Sequence, residues 1–187
     1  MLMDISSRAK KRSTILDVGA NIGNHTIYFS LLCDVEKVIS FEPQKNVYDT
    51  LCRNIRRNLK EGKVIAHQMG LGSIETKANL GEVDDKNIGM TKLDVNDTGE
   101  IRISTLDSVV EKEPVNSISV IKVDVEGMEM EVLRGAIKTL ERHNPVLYIE
   151  AATNKEFDEI SGFLKKFNYI PLKRFNATAT YLFSKVN

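Results

Sequence analysis

The feature that most constrains this 187-residue chain is a rhythm: apolar runs too short for helices alternate with segments whose apolar residues recur once per helical turn. Runs at 14–20, 37–41, 63–67, 118–125 and 145–150 read as strands. Between them, 24–33, the segment carrying Val47, Leu51, Ile55 and Leu59, and 128–143 read as helices. Phe157, Ile160, Phe163, Leu164 and Phe167 mark one more helix, followed by strands at 169–175 and 180–184. Strands alternating with helices imply right-handed crossovers and hence a mostly parallel sheet covered on both faces. Only 176–179 separates the last two strands, a hairpin-length gap, so the final strand is expected to run antiparallel to the rest. The expectation is one α/β domain over 1–187 with a seven-stranded sheet, a lead-in at 1–13, and an inserted loop with a small hairpin at 70–105.

Composition removes several alternatives. Hydrophobic residues make up 42% and charged residues 28%, which suits neither a disordered nor a fibrous chain. Twenty-six basic side chains balance 26 acidic ones, so no global field draws the protein onto nucleic acid or an anionic membrane. The start of the chain lacks the apolar core of a signal peptide and no run is long enough to span a bilayer, so a cytoplasmic protein with no membrane partner is expected. Cys33 and Cys52 fall in helical segments and are read as reduced thiols. His25, His67 and His143 show no ligand spacing, so no metal centre is expected of them.

Three strand ends carry the residues of chemical interest. The first strand turns into its helix through Asp17-Val18-Gly19-Ala20-Asn21-Ile22-Gly23-Asn24. Glycines there let the backbone approach a ligand while free amides at the helix start face it, an arrangement that suits a nucleoside cofactor. The G-x-x-x-G spacing is not the dinucleotide fingerprint. Glu42, ending the second strand before Pro43, is placed to accept hydrogen bonds from both hydroxyls of a ribose. On the fourth strand, Lys122, Asp124 and Glu126 share one face by the period of two, so the lysine is expected to pair with the two carboxylates. Glu150 ends the fifth strand and opens onto the same rim. Asp124, Glu126 and Glu150 together suit either a divalent cation or a proton-accepting role, and the base is the favoured reading. His25 is a rival base, and Glu129 reads as an ordinary complement to a helix dipole. Arg53, Arg56, Arg57 and Lys60 form a basic stripe that reads as a solvated face.

Taken together, Leu16-Asp17-Val18-Gly19-Ala20-Asn21-Ile22-Gly23, Phe41-Glu42-Pro43, Thr105-Leu106-Asp107, Lys122-Val123-Asp124-Val125-Glu126-Gly127-Met128-Glu129 and Val132-Leu133-Arg134-Gly135-Ala136 resemble the FkbM-type family of S-adenosylmethionine-dependent methyltransferases. The resemblance covers about 15–150. It implies a Rossmann-like methyltransferase sandwich, S-adenosyl-L-methionine as cofactor, and methyl transfer to a hydroxyl of a sugar or other small metabolite. By position, Asp17, Gly19, Ala20, Asn21, Gly23 and Asn24 would frame the methionine part of the cofactor, Glu42 and Pro43 its ribose, and Gly70 and Leu71 its adenine. Asp124, Glu126 and Glu150 would line the pocket near the reactive methyl. Where many methyltransferases carry an acid after the third strand, this chain has Leu71-Gly72-Ser73. With so short a lead-in, the insertion at 70–105 or a second subunit of a homo-oligomer is expected to cover the substrate. The alternatives are an NAD-dependent oxidoreductase and a nucleic-acid-directed methyltransferase or binding module.

Overall fold

The computed structural model describes residues 1–81, 93–96 and 98–186. In chain order these form α1 (Leu2–Arg8), β1 (Thr14–Val18), α2 (Asn24–Leu32), β2 (Lys37–Phe41), α3 (Lys45–Asn58), β3 (Val64–His67), β4 (Gly70–Leu71), β5 (Thr76–Leu80), β6 (Leu93–Val95) and β7 (Ile101–Ser104). There follow α4 (Leu106–Lys112), β8 (Ile118–Val123), α5 (Glu129–Arg134), α6 (Ile137–His143), β9 (Val146–Glu150), α7 (Asn154–Lys165), β10 (Tyr169–Phe175) and β11 (Thr180–Lys185).

Seven strands make the main sheet in the order β10-β11-β9-β8-β1-β2-β3. β3, β2, β1, β8 and β9 run parallel to one another, and β11 runs antiparallel to both β9 and β10. This is the Rossmann-like methyltransferase sandwich, with its reversed last strand. From β1 the chain winds outward through β2 and β3, then returns to lay β8 on the other side of β1. The strand order therefore reverses between β1 and β8, and a crevice opens at their carboxyl ends, where open α/β sheets bind ligands.

Alternation along the strands divides the interior in two. Leu16, Val18, Ile39, Phe41, Ile121 and Val123 point to the face covered by α4 to α7. Ile15, Val38, Val120, Tyr148 and Leu182 point to the face covered by α1 and α2, where Ile5 and Phe29 meet them. On that second face the next positions toward the carboxyl ends are polar: Asp17 stands opposite Ser40 on one side and Lys122 on the other. All three are buried. Thr26 of α2 closes the row, donating to Asp17 Oδ2 at 2.7 Å and lying 2.8 Å from the Ser40 hydroxyl. Buried polar groups require partners: the Thr26 hydroxyl serves Asp17 Oδ2, and Asp17 Oδ1 has the Lys122 ammonium 3.4 Å away.

Three local features depart from the sequence expectations. The lead-in is not merely solvated: it contains α1, with Ile5 fully buried, Arg8 paired to Asp4 at 2.8 Å, and the buried Tyr148 hydroxyl donating to the same carboxylate at 2.5 Å. The helix expected at 128–143 is two helices, α5 and α6. The break falls at Gly135, where a β-carbon would lie 2.0 Å from the Gly72 carbonyl oxygen of the insertion. Asp107 secures the break, its carboxylate accepting from the Lys138 and Thr139 amides while its own amide donates to the Gly135 carbonyl. Finally, the insertion is more than a hairpin. Its described strands form a second sheet, β4-β7-β5-β6, with β4 parallel to β7 and β5 antiparallel to both β6 and β7. Within the expected insertion, residues 82–92 and 97 lie outside the described residues.

Candidate active site

The β1–α2 turn is built by close approach. Gly19 sits at φ +77°, and a β-carbon there would lie 1.8 Å from the Asp124 carbonyl oxygen. Only glycine allows β1 and the end of β8 to come this near. The Gly19 and Ala20 amides both donate to the Phe41 carbonyl, at 3.1 and 2.9 Å, which ties the turn to β2. Asn21 takes a left-handed conformation, φ +50°, that asparagine tolerates, and its Oδ1 accepts from the Ile22 amide at 2.7 Å. Gly23 caps α2 at φ +94°; a β-carbon there would fall 2.6 Å from the Leu51 side chain of α3.

Glu42 is buried where β2 ends. One of its oxygens accepts from the Asn21 amide at 3.0 Å and the other from the Gln44 amide at 2.9 Å. Burial raises its carboxyl above the ordinary range, although these two amides oppose the shift. Each carboxylate oxygen has two acceptor sites, so each keeps capacity for a further donor.

These groups border a cavity of about 550 Å³ that runs along the carboxyl ends of β1, β2, β8 and β9. Gly19, Ala20, Asn21 and Asn24 line one side with Glu42 and Pro43. Phe41, Met69, Gly70 and Leu71 form an apolar stretch beside them. Asp124, Glu126 and Glu150 line it at the ends of β8 and β9, together with Lys122. Two residues assigned to the cofactor from sequence fall elsewhere. Asp17 is 0% exposed and lies behind the wall in the polar row, while Gly23 serves the helix start and its packing on Leu51. Of the described residues at 70–105, only Gly70 and Leu71 reach the cavity. His25, Met128 and Thr178 also line it. Thr178, in the turn between β10 and β11, carries no signal in the sequence because only the reversed last strand brings it there.

The acidic wall is held by a network. Lys122 Nζ lies 3.2 Å from Asp124 Oδ2 and 3.4 Å from Asp17 Oδ1, and donates to the Gly19 carbonyl at 3.2 Å. The sequence reading paired this lysine with Asp124 and Glu126. The second partner is instead Asp17, since β8 ends at Val123 and Glu126 belongs to a loop with φ +55°. Carboxylate oxygens of Asp124, Glu126 and Glu150 come within 4.8 Å of one another. Like charges so close resist joint ionisation. Burial pushes the Asp124 carboxyl up, but the Lys122 ammonium and a hydrogen bond from Glu150 hold it below the ordinary range. Glu150 moves the other way. Burial, its hydrogen bond to Asp124, and the charges of Asp124, Glu126 and Glu129 push it up to about 8. At neutral pH the pair therefore holds one proton, on Glu150, which donates to Asp124. Burial and the nearby Lys122 keep His25 below its ordinary value.

Glu129, read from sequence as a dipole complement, shapes the loop after β8. Its buried carboxylate accepts from the Val125 amide at 3.1 Å and from the Gly127 amide, fixing the backbone that carries Glu126. Burial raises its carboxyl.

Comparison with known proteins agrees with this architecture. The Methyltransferase FkbM domain matches residues 17–171. Hexuronic acid methyltransferase AglP of Haloferax volcanii is 32% identical over 140 residues, 74% of this chain and 56% of the relative. Methyltransferase 1 of Beauveria bassiana is 32% identical over 146 residues, 66% of this chain and 58% of the relative. The chain thus spans little more than half the length of these curated relatives. Among solved structures, Methyltransferase FkbM from Methylobacillus flagellatus KT superposes with a TM-score of 0.70 at 20% identity, covering 94% of this chain and 44% of that one. A Streptococcus mutans protein in complex with SAH superposes at 0.60 and 15% identity, covering 99% and 95%. With the profile spanning most of the chain and the glycine turn, Glu42 and the β8 acids meeting at one cavity, the chain belongs to the FkbM methyltransferase family.

Proposed function

We propose that this methyltransferase uses S-adenosylmethionine and transfers its methyl group to a hydroxyl oxygen of a sugar or other small metabolite. The observation that carries this reading is the meeting, in one cavity, of a glycine turn with an amide-held carboxylate on one side and a proton-sharing acid pair on the other. The residues suit the cofactor. The cavity volume is within the range of small-molecule sites, the cradle at Gly19 is closed to any side chain, and Glu42 retains acceptor capacity for ribose hydroxyls. Pro43, Gly70 and Leu71 offer an apolar slot for the adenine.

When bound, the cofactor supplies a sulfonium-activated methyl group. The chain's task is to hold the acceptor oxygen in line with it and exclude water, which can account for most of the acceleration. Glu150 and Asp124 handle the proton. With Glu150 already protonated at neutral pH, Asp124 is the ionised member that can receive the hydroxyl proton, and the hydrogen bond between the two keeps that proton within the pair. Glu126 stands beside them as a third acid at the wall.

The test is to incubate the protein with methyl-tritiated S-adenosylmethionine and a panel of neutral hexoses, hexuronic acids and polyols. The expected result is tritium in an ether-linked methyl group of a panel member, with one S-adenosylhomocysteine released per transfer. Failure of the protein to bind either S-adenosylmethionine or S-adenosylhomocysteine would overturn the reading.

A further inference from the structure

Lys122 is the one cationic side chain among the described residues that is both fully enclosed and wired to the cavity. It is 3% exposed, and its ammonium reaches three different parts of the fold: Asp17 in the middle of β1, the Gly19 carbonyl in the turn, and Asp124 just past β8. Burying an ammonium costs several kcal/mol before its partners compensate. If structural neutralisation of Asp17 were its whole purpose, contact with that carboxylate would suffice. Its two other contacts are of another kind. Gly19 is the turn residue at which a β-carbon would lie 1.8 Å from the Asp124 carbonyl oxygen, and Asp124 has 36% of its side chain exposed.

We propose that Lys122 is a positioning residue: by binding the Gly19 carbonyl and the Asp124 carboxylate with one ammonium, it fixes the cofactor turn relative to the acid pair that receives the acceptor's proton. This rests on the function proposed above. The register of the sheet makes the arrangement possible, because Lys122 stands directly opposite Asp17 across parallel strands and the rigid β1–β8 pair aims its long side chain toward their carboxyl ends. The same ammonium holds Asp124 ionised and so leaves the proton on Glu150. Other groups bearing on that proton are His25 from α2, and Glu126 and Glu129 from the loop and helix after β8.

The experiment compares the native chain with Lys122→Met and with the double variant Asp17→Asn/Lys122→Met, which removes the stranded core carboxylate and so preserves folding. Calorimetry with S-adenosylhomocysteine reads the turn, carbon-13 NMR of side-chain carboxyls reads the pair, and amide exchange at Ala20 reads the turn without any ligand. The double variant is expected to keep a native-like melting temperature while binding S-adenosylhomocysteine at least tenfold more weakly. Its Ala20 amide should exchange at least tenfold faster, and its Glu150 signal should titrate higher than the native value near 8. A purely structural lysine would have these changes reversed by Asp17→Asn. Native affinity, exchange and titration in the double variant would overturn the proposal, as would an unmoved Ala20 exchange rate alone. If the native chain binds no S-adenosylhomocysteine, the proposed function fails, while exchange and titration still decide the role of Lys122.

Discussion

Around the β1–α2 turn the polar groups are spent on the backbone: Gly19 and Ala20 donate to Phe41, and Glu42 takes the Asn21 and Gln44 amides. At the ends of β8 and β9, Asp124, Glu126 and Glu150 face one another and are restrained by one lysine and one shared proton. The first region is shaped before any ligand arrives, and changing its shape should change binding. The second keeps its charges in tension, and changing its protonation should change turnover. One wall is preorganised in geometry, the other in charge.

The largest effect should come from breaking the first region at its tightest point. Gly19→Ala puts a β-carbon 1.8 Å from a main-chain oxygen at a positive φ, so the turn must move. Affinity for S-adenosylhomocysteine is expected to fall more than about 100-fold, read by calorimetry, with a lowered melting temperature. The matching break in the second region is Glu150→Gln. It keeps a neutral hydrogen-bond donor toward Asp124 but cannot exchange the pair's proton, and it leaves the turn untouched, so methyl transfer should slow by about 10- to 100-fold while cofactor affinity stays within about twofold. Single-turnover transfer from labelled cofactor separates the two quantities. If Glu150→Gln instead weakened binding as Gly19→Ala does, the division between the walls would be lost.

Glu42→Gln probes the boundary between shape and charge. The amide side chain keeps one acceptor oxygen but replaces the other with a donor facing a backbone amide. The expected loss is about tenfold in affinity, or about 1.4 kcal/mol, with turnover at saturation unchanged. The smallest effect is on stability. Glu150 binds its proton more tightly folded than unfolded, so its contribution is fully present below its ordinary value of 4.5 and is lost as pH rises through about 8. Native melting temperature should therefore decline over that window, and Glu150→Gln should show a shallower decline by scanning calorimetry.

Legibility from sequence followed the same division. Strands and helices with local patterns were readable: β2 spans the expected residues, and the hairpin-length gap before β11 gave the antiparallel edge. Glu42 and the β8 acids were readable because strand ends meet at the crevice whatever the details of packing. What escaped was set by distant contacts. Gly135 stands at the helix break against the Gly72 carbonyl, and nothing in the sequence around Gly135 announces that neighbour. Asp17 lies in the motif but serves a polar row defined by register with Ser40 and Lys122, so its motif membership misplaced it at the cavity. Glu129 lies in the first turn of a helix, where an acid has an ordinary explanation that hides its hold on the preceding loop.

The claim on which the rest depends is that the cavity at the ends of β1 and β8 receives an adenosyl sulfur compound. The most direct measurement is parallel calorimetric titration of the native chain with S-adenosylhomocysteine and with NAD. One-site binding of S-adenosylhomocysteine, abolished in Gly19→Ala, with no heat from NAD, is the predicted result; saturable NAD binding with none for S-adenosylhomocysteine would contradict it.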